Sequence, residues 1–169
     1  MTAIADIDWA HWTPRERGVL CFIFRQDELL LILKKRGLGA GKINAPGGKI
    51  EPGESPLEAA IRETQEEVGL TPLDPHPVGE LFFQFTDGYT LDCVVFRAES
   101  HSGTEVETDE AVPRWTPLDA VPYDAMWADD IDWLPLLIAG RPFRGHFIFE
   151  GDTMLDHRIE VLPEGCFAL

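Results

Sequence analysis

The sequence predicts one α/β domain in which a mixed β-sheet lies between helices, and three observations predict it. The first is a set of β-rich apolar runs at 18–24, 28–36, 77–85, 89–98 and 143–161, several of them joined by short turn-forming stretches. The second is one strongly signalled helix at 55–69 in their midst. The third is a shorter helical pattern near the end, at 126–140. A chain of 169 residues suits a single folded unit. It reads as an extension (1–17), a domain (18–163) and a tail (164–169).

Taken in order, residues 1–17 carry Trp9 and Trp12 without clear periodicity. They are expected to pack across the domain, with cover of a neighbouring subunit or mobility as the alternatives, and they carry no functional expectation. Arg25-Gln26-Asp27 suits a hairpin between the first two strands. From 37 to 49, five glycines in thirteen residues argue against a regular element and for a loop whose backbone approaches a ligand closely. The helix that follows has full signals: Ser55 to cap it, Pro56 at its first position, Glu58 to complete a capping box and Gly69 to stop it. Leu57, Ile61, Thr64 and Val68 repeat at the spacing of a buried face. Residues 72–77 read as a connection and Thr86-Asp87-Gly88 as a turn between two strands. Phe83 and Phe85 share one sheet face while Phe82 takes the other. Residues 99–111 read as an exposed acidic loop, 112–115 as a short strand and Thr116–Asp119 as a turn. In 126–140 an aspartate caps a short helix ended by Gly140, with Pro135 expected in its first turn, because deeper in it removes a helix hydrogen bond. A hairpin about Gly151-Asp152 closes the chain.

Charge excludes one class of partner. With 30 acidic residues against 14 lysines and arginines, the net charge of -16 is wrong for a nucleic-acid polymer, whose binding needs a basic surface. A small anion remains open, because a bound cation reverses the local field. No apolar run approaches the roughly 20 residues of a membrane span. The amino terminus lacks the basic-then-apolar order of a signal peptide. Cys21, Cys93 and Cys166 are odd in number and scattered, so they read as free thiols packed in a core, in a reducing, cytoplasmic setting.

The helix at 55–69 also carries Glu63, Glu66 and Glu67, three carboxylates at i, i+3 and i+4. Like charges so placed cost about 0.2–0.5 kcal/mol per pair, and packing does not ask for them. Hard divalent cations do. Gly48, five residues, Glu54, seven residues, then Arg62-Glu63-Thr64-Gln65-Glu66-Glu67-Val68-Gly69-Leu70 resembles the Nudix box, with Thr64 where an aliphatic residue is usual. The resemblance implies an α/β/α sandwich and a Mg²⁺-dependent hydrolase, with Mn²⁺ as the substitute metal, acting on nucleoside diphosphates linked to another moiety. It implies metal ligation by Glu63, Glu66, Glu67 and the carbonyl of Gly47, with Arg62 holding the glutamates and Glu54 bracing the loop. Glu63, Glu67 and Glu110 are the candidates for taking the proton of the attacking water. Lys34, Gly48 and Lys49 are the expected phosphate contacts.

Beyond the box, KKRGLGAGKINAPGGK, TDEAVPRW, MWADD, DWLPLL and GHFIFEGDTMLDHRIEV resemble the Nudix branch that hydrolyses oxidised purine nucleoside triphosphates, from about 19 to 161. That branch implies a base site of Asn44, Trp127, Asp129 and Asp130, with Phe83 and Phe85 as candidate walls. Two carboxyls in one apolar pocket do not both ionise cheaply, so one is expected to have a raised pKa. The implied activity releases a monophosphate and pyrophosphate from nucleotides such as 8-oxo-dGTP or 2-hydroxy-dATP. The chain departs from the branch at Val19, Leu38, Ala45-Pro46, Leu91 and Ala111, which changes the walls and leaves the preferred base open. ADP-ribose, dinucleoside polyphosphates, methylated purine nucleotides, or binding without cleavage are the alternatives. A small-molecule nucleotide is the expected partner and a monomer the expected state, with a dimer as the alternative.

Overall fold

Strand β1 (Glu16–Arg25) sets the layering, because it is apolar at consecutive positions and both of its faces are covered. Val19, Cys21 and Ile23 enter one core; Phe22 and Phe24 enter the other, with Leu20 packed against it. The computed structural model describes residues 3–167, so residues 1–2 of the expected extension and 168–169 of the expected tail lie outside the described residues. After β1 come β2 (Glu28–Lys34), β3 (Ile43–Asn44), β4 (Gly47–Lys49), helix α1 (Pro56–Val68), β5 (Thr71–Leu73), β6 (His76–Phe85) and β7 (Thr90–Ala98). They are followed by β8 (Ser100–Ser102), β9 (Ala111–Pro117), helix α2 (Asp130–Ile138), β10 (Phe143–Glu150) and β11 (Thr153–Val161).

The strands form a mixed sheet in the order β11-β10-β6-β7-β1-β2-β3, with β4 added on β1 and β9 on β2. β1 runs parallel to β7, and β10 parallel to β6. Helix α1 covers one face with Ala59, Ala60 and Val68 against β1, β2 and β7. Helix α2 covers the other with Trp133, Leu134 and Leu137 against Phe22, Leu81, Phe143 and Phe147. Arg97 fastens the end of α2, donating to the carbonyls of Leu137 at 2.6 Å and Ile138 at 3.2 Å, where the last helix carbonyls have no i+4 amide to accept from. This is the expected α/β/α arrangement.

The N-terminal segment packs across the domain. Phe82 and His146, on the face opposite Phe83 and Phe147, stack at 4.9 Å, and Trp9 and Trp12 close over them. Trp12 donates to Gln84 at 3.0 Å, and the Ile4 amide to Asp156 at 2.7 Å. Burial there pushes the His146 pKa down to about 4.

Several expectations are corrected. The glycine-rich stretch holds two short strands, β3 and β4, because β4 finds a partner in β1 and glycine is what lets it come so close. The stretch 72–77 is taken up by the end of β5 and the start of β6, and 99–111 contains β8, which pairs with β5. The expected turn at Thr116 is still strand. Pro135 sits in the middle of α2, well past its first turn. The buried stripe of α1 is Ala59, Ala60, Thr64, Glu67 and Val68, whereas Leu57 is exposed and Ile61 only partly buried. Two alanines and a threonine let the helix lie close to the sheet, and Thr64 satisfies its buried hydroxyl on the Ala60 carbonyl at 2.8 Å. Cys21 and Cys93 are buried thiols as expected, but Cys166 is exposed.

The capping box of α1 is present in full, with the Glu58 amide donating to Ser55 Oγ at 3.1 Å and the Ser55 amide to Glu58 Oε1 at 3.0 Å. Ser55→Ala is therefore expected to lower stability by about 1 kcal/mol, measured as a shift in the urea midpoint at unchanged slope.

Candidate active site

The site begins where β4 joins α1 to β1. β4 pairs antiparallel with β1 through Gly18↔Lys49, Val19↔Gly48 and Leu20↔Gly47. A Cβ on Gly47 would lie 2.1 Å from the Val19 carbonyl oxygen, and one on Gly48 would lie 2.5 Å from the Glu63 carboxyl carbon. Only glycine lets the helix carboxylates and the strand backbone meet here. Glu67, buried, accepts from the Gly47 amide at 2.8 Å.

Arg62 holds the neighbouring acids. It makes a two-pronged pair with Glu54 at 2.6 and 2.9 Å, reaches Glu63 at 2.8 Å and Glu66 at 3.2 Å, and donates to the Lys49 carbonyl at 3.0 Å. The guanidinium holds the Glu54 carboxyl down at about 2. Thus Glu63 and Glu66 share one arginine while Glu67 turns inward to β4. As they stand, no trio of His, Cys, Asp or Glu among the described residues is drawn close enough to hold a metal ion. The donors nonetheless suit a hard divalent cation, being carboxylate oxygens grouped around a glycine cradle. Burial raises the Glu63 pKa, and burial, offset in part by the Gly47 hydrogen bond, raises that of Glu67 to about 7.

On the α2 side of β1 opens a cleft of about 840 Å³, counting the part open to solvent. Its walls include Leu20, Leu81, Phe83, Phe85, Leu91 and Trp127. Asn44, Asp129 and Asp130 stand in the lining, as do Lys34, Gly47, Gly48 and Lys49. Trp127 meets Phe85 and Phe149 edge-on, with centroids at 6.4 and 5.6 Å, and the Lys42 ammonium lies 5.2 Å from its ring centre.

Asp129 occupies the position before α2 yet makes no side-chain cap; its Oδ2 accepts from the Trp133 indole at 2.7 Å. Oδ1 of Asp129 and Oδ2 of Asp130 are buried with no hydrogen-bond partner among the described residues. Such atoms are costly unless a ligand completes them. Burial raises the Asp129 pKa to about 6, and burial beside that neighbour raises Asp130 well above the usual carboxylate range.

The structure thus gathers most of the expected residues into two adjoining groups. Asn44, Phe83, Phe85, Trp127, Asp129 and Asp130 share the cleft with Lys34, Gly48 and Lys49; Glu63, Glu66, Glu67 and Arg62 lie on α1 against β4. Glu110 stands aside from the cleft, paired with Arg36 at 3.2 Å, though its charge bears on Glu63 and Glu67. Of the expected wall substitutions, Val19, Ala45 and Leu91 do line the cleft. Ala111 does not: it is buried in the α1-side core, because that strand position faces the helix. Leu38 is exposed and outside the lining. Sequence reasoning missed Trp133, Tyr89 and Cys93, all in the lining. The four-residue spacing of Asp129 and Trp133 was the available signal for the first.

Comparison with known proteins bears on the family and agrees with the fold. A family profile described as NUDIX domain matches residues 14–137. The chain is 41% identical over 147 residues to an oxidized purine nucleoside triphosphate hydrolase of Danio rerio, covering 86% of this chain and 94% of that one. It is 39% identical over 142 residues to the protein of that name from Mus musculus, covering 83% and 91%. A crystal structure of a MutT protein from Bacillus halodurans matches with a TM-score of 0.77 at 30% identity, covering 88% of this chain and 99% of that one.

The aspartate pair fixes a pH dependence. Both carboxyls hold their protons to higher pH folded than unfolded, so the stability they contribute is present below about pH 4 and is lost as pH rises toward 6 and beyond. Asp130→Asn removes that loss. It is expected to raise stability at pH 7 by about 1 kcal/mol or more and to change it little at pH 4, read from urea midpoints at the two pH values.

Proposed function

The chain belongs to the NUDIX family and is a Nudix hydrolase; on that premise we propose that it cleaves oxidised purine nucleoside triphosphates to the monophosphate and pyrophosphate, using Mg²⁺. The observation that carries the substrate class is the pair of buried, unpartnered carboxylate oxygens of Asp129 and Asp130 in the same aromatic-walled cleft as Asn44 and Trp127. The names of the Danio rerio and Mus musculus relatives support the same reading.

The base lies against Trp127, Phe83 and Phe85, whose faces suit a flat heterocycle. Asn44 offers an amide to its edge, since its Oδ1 already accepts from the Ala45 amide at 2.8 Å. Asp129 and Asp130 read that edge as acceptors when ionised and as donors when protonated, and burial shifts each toward the protonated, donating form. An oxidised purine differs from its parent in the donors and acceptors it presents, which is the kind of difference a buried polar site discriminates.

The polyphosphate extends toward β4, where the Gly48 backbone and the ammonium groups of Lys34 and Lys49 meet it. Glu63, Glu66, Glu67 and the Gly47 carbonyl would hold the cation, with Mn²⁺ as substitute. Bound there, it would supply positive charge to offset the phosphates and to ease deprotonation of the attacking water. Arg62 fixes the acids that hold it, and Glu63, Glu67 or Glu110 receives the water's proton.

Turnover of 8-oxo-dGTP, 2-hydroxy-dATP, dGTP, dATP, ADP-ribose, a dinucleoside tetraphosphate and a methylated purine triphosphate, with Mg²⁺, tests the assignment. The oxidised purines are expected to have the highest kcat/KM; equal turnover of dGTP or dATP removes the assignment to oxidised purines. Glu67→Gln keeps an acceptor for the Gly47 amide, so it should fold normally and lose about 10²-fold or more in kcat. Undiminished turnover in that variant refutes the carboxylate assignment.

A further inference from the structure

Lys49, in the lining of the cleft, carries an ion pair that phosphate binding does not call for. Its Nζ lies 2.6 Å from Oε2 of Glu16, the first residue of β1. Glu16 is firmly placed. Its strand runs beside β7 with Glu16 opposite Leu91, and the amide of the preceding Arg15 donates to Thr90 Oγ1 at 2.7 Å. Tyr89, next to Thr90, lines the cleft and packs its ring 5.5 Å from Phe85.

The two partners differ in freedom. The Lys49 side chain is 68% exposed and that of Glu16 27%. A lysine is a point charge on a flexible four-carbon stem, so the carboxylate is the fixed member of the pair and the ammonium the one that can leave. The pairing of β1 with β7 continues to hold Glu16 in place when it does.

We propose that Glu16 is a competing counter-ion that holds Lys49 at the mouth of the cleft, so that a phosphate-bearing ligand must draw the lysine away from it. This rests on the nucleotide reading above and names a residue that tunes it. Once Lys49 turns to phosphate, Glu16 keeps a negative charge beside an anionic ligand. The pair therefore lowers affinity for triphosphate substrate and pyrophosphate product alike, and it leaves the base-reading end of the cleft untouched. Glu16 is a positioning residue acting through Lys49.

The test is a double-mutant cycle on the full chain with Mg²⁺, using Glu16→Gln, Lys49→Gln and the pair together. Calorimetry measures the binding of inorganic pyrophosphate, of an α,β-methylene analogue of the best triphosphate from the panel, and of the matching uncharged nucleoside. Glu16→Gln is expected to tighten both phosphate ligands about two- to fivefold, the scale of a partly exposed ion pair, and to leave the nucleoside unchanged. KM falls with it while kcat does not rise, and the gain shrinks in 0.5 M salt, on the order of the screening expected there. In the Lys49→Gln background the gain disappears. A gain that persists there reports only the loss of one negative charge and overturns the inference. So does weaker or unchanged binding of the triphosphate analogue by Glu16→Gln. Wild-type protein that binds neither phosphate ligand overturns the nucleotide reading and this inference together; wild-type binding without the gain overturns this inference alone.

Discussion

The contact between α1 and β4 is the constraint on which the site depends. A helix rich in glutamate has no electrostatic reason to lie on a sheet, and burying Glu67 against it is costly. What offsets that cost is directional. The Gly47 amide donates to Glu67, and Arg62 ties Glu54, Glu63 and Glu66 to the carbonyl of Lys49. Both links end on β4, the three-residue strand that also forms part of the cleft. Moving α1 by an ångström would therefore move the acidic group relative to the cleft, and the absence of a side chain at Gly47 and Gly48 is what lets the three parts touch.

The other end of the cleft illustrates a different use of burial. Asp129 and Asp130 sit among Trp127, Trp133 and the phenylalanines, each with a buried oxygen that finds no partner among the described residues. Stability alone would replace them with apolar side chains. Trp133 fixes Asp129 through its indole, which keeps the orphaned oxygen aimed by a rigid support. The molecule tolerates this because both faces of its sheet are thickly packed, by α2 on one side and by α1 on the other. Beyond the reach of α1, the N-terminal tryptophans close over Phe82 and His146.

How much of this was legible in the sequence follows from how local each signal is. The Ser55 cap, the Gly69 stop and the three hairpins depend on residues within a few positions of one another, and all formed as read. The alternation that separates Phe83 and Phe85 from Phe82 is equally local. The buried stripe of α1 was misread because Leu57 and Ile61 outrank Ala59 and Ala60 in hydrophobicity, whereas close approach to a sheet favours the smaller pair. Pairings made over long separations were invisible: β4 on β1, β5 on β8, and Glu16 with Lys49. No periodicity records which strand will arrive beside another. Resemblance to the family's motifs supplied Asn44, Trp127, Asp129 and Asp130 as a group; spacing alone would have left the aspartates as helix caps.

The central claim is that the carboxylates of α1 and the carboxylates before and within α2 serve one ligand, held across β4. Anomalous diffraction from crystals grown with Mn²⁺ and a non-hydrolysable oxidised purine triphosphate tests it most directly. Manganese peaks bounded by Glu63, Glu66 and Glu67 are expected, with phosphates over Gly48 and a base on Trp127 with its edge at Asp129 and Asp130. Manganese elsewhere on the chain, or a base lodged outside the cleft, would contradict it.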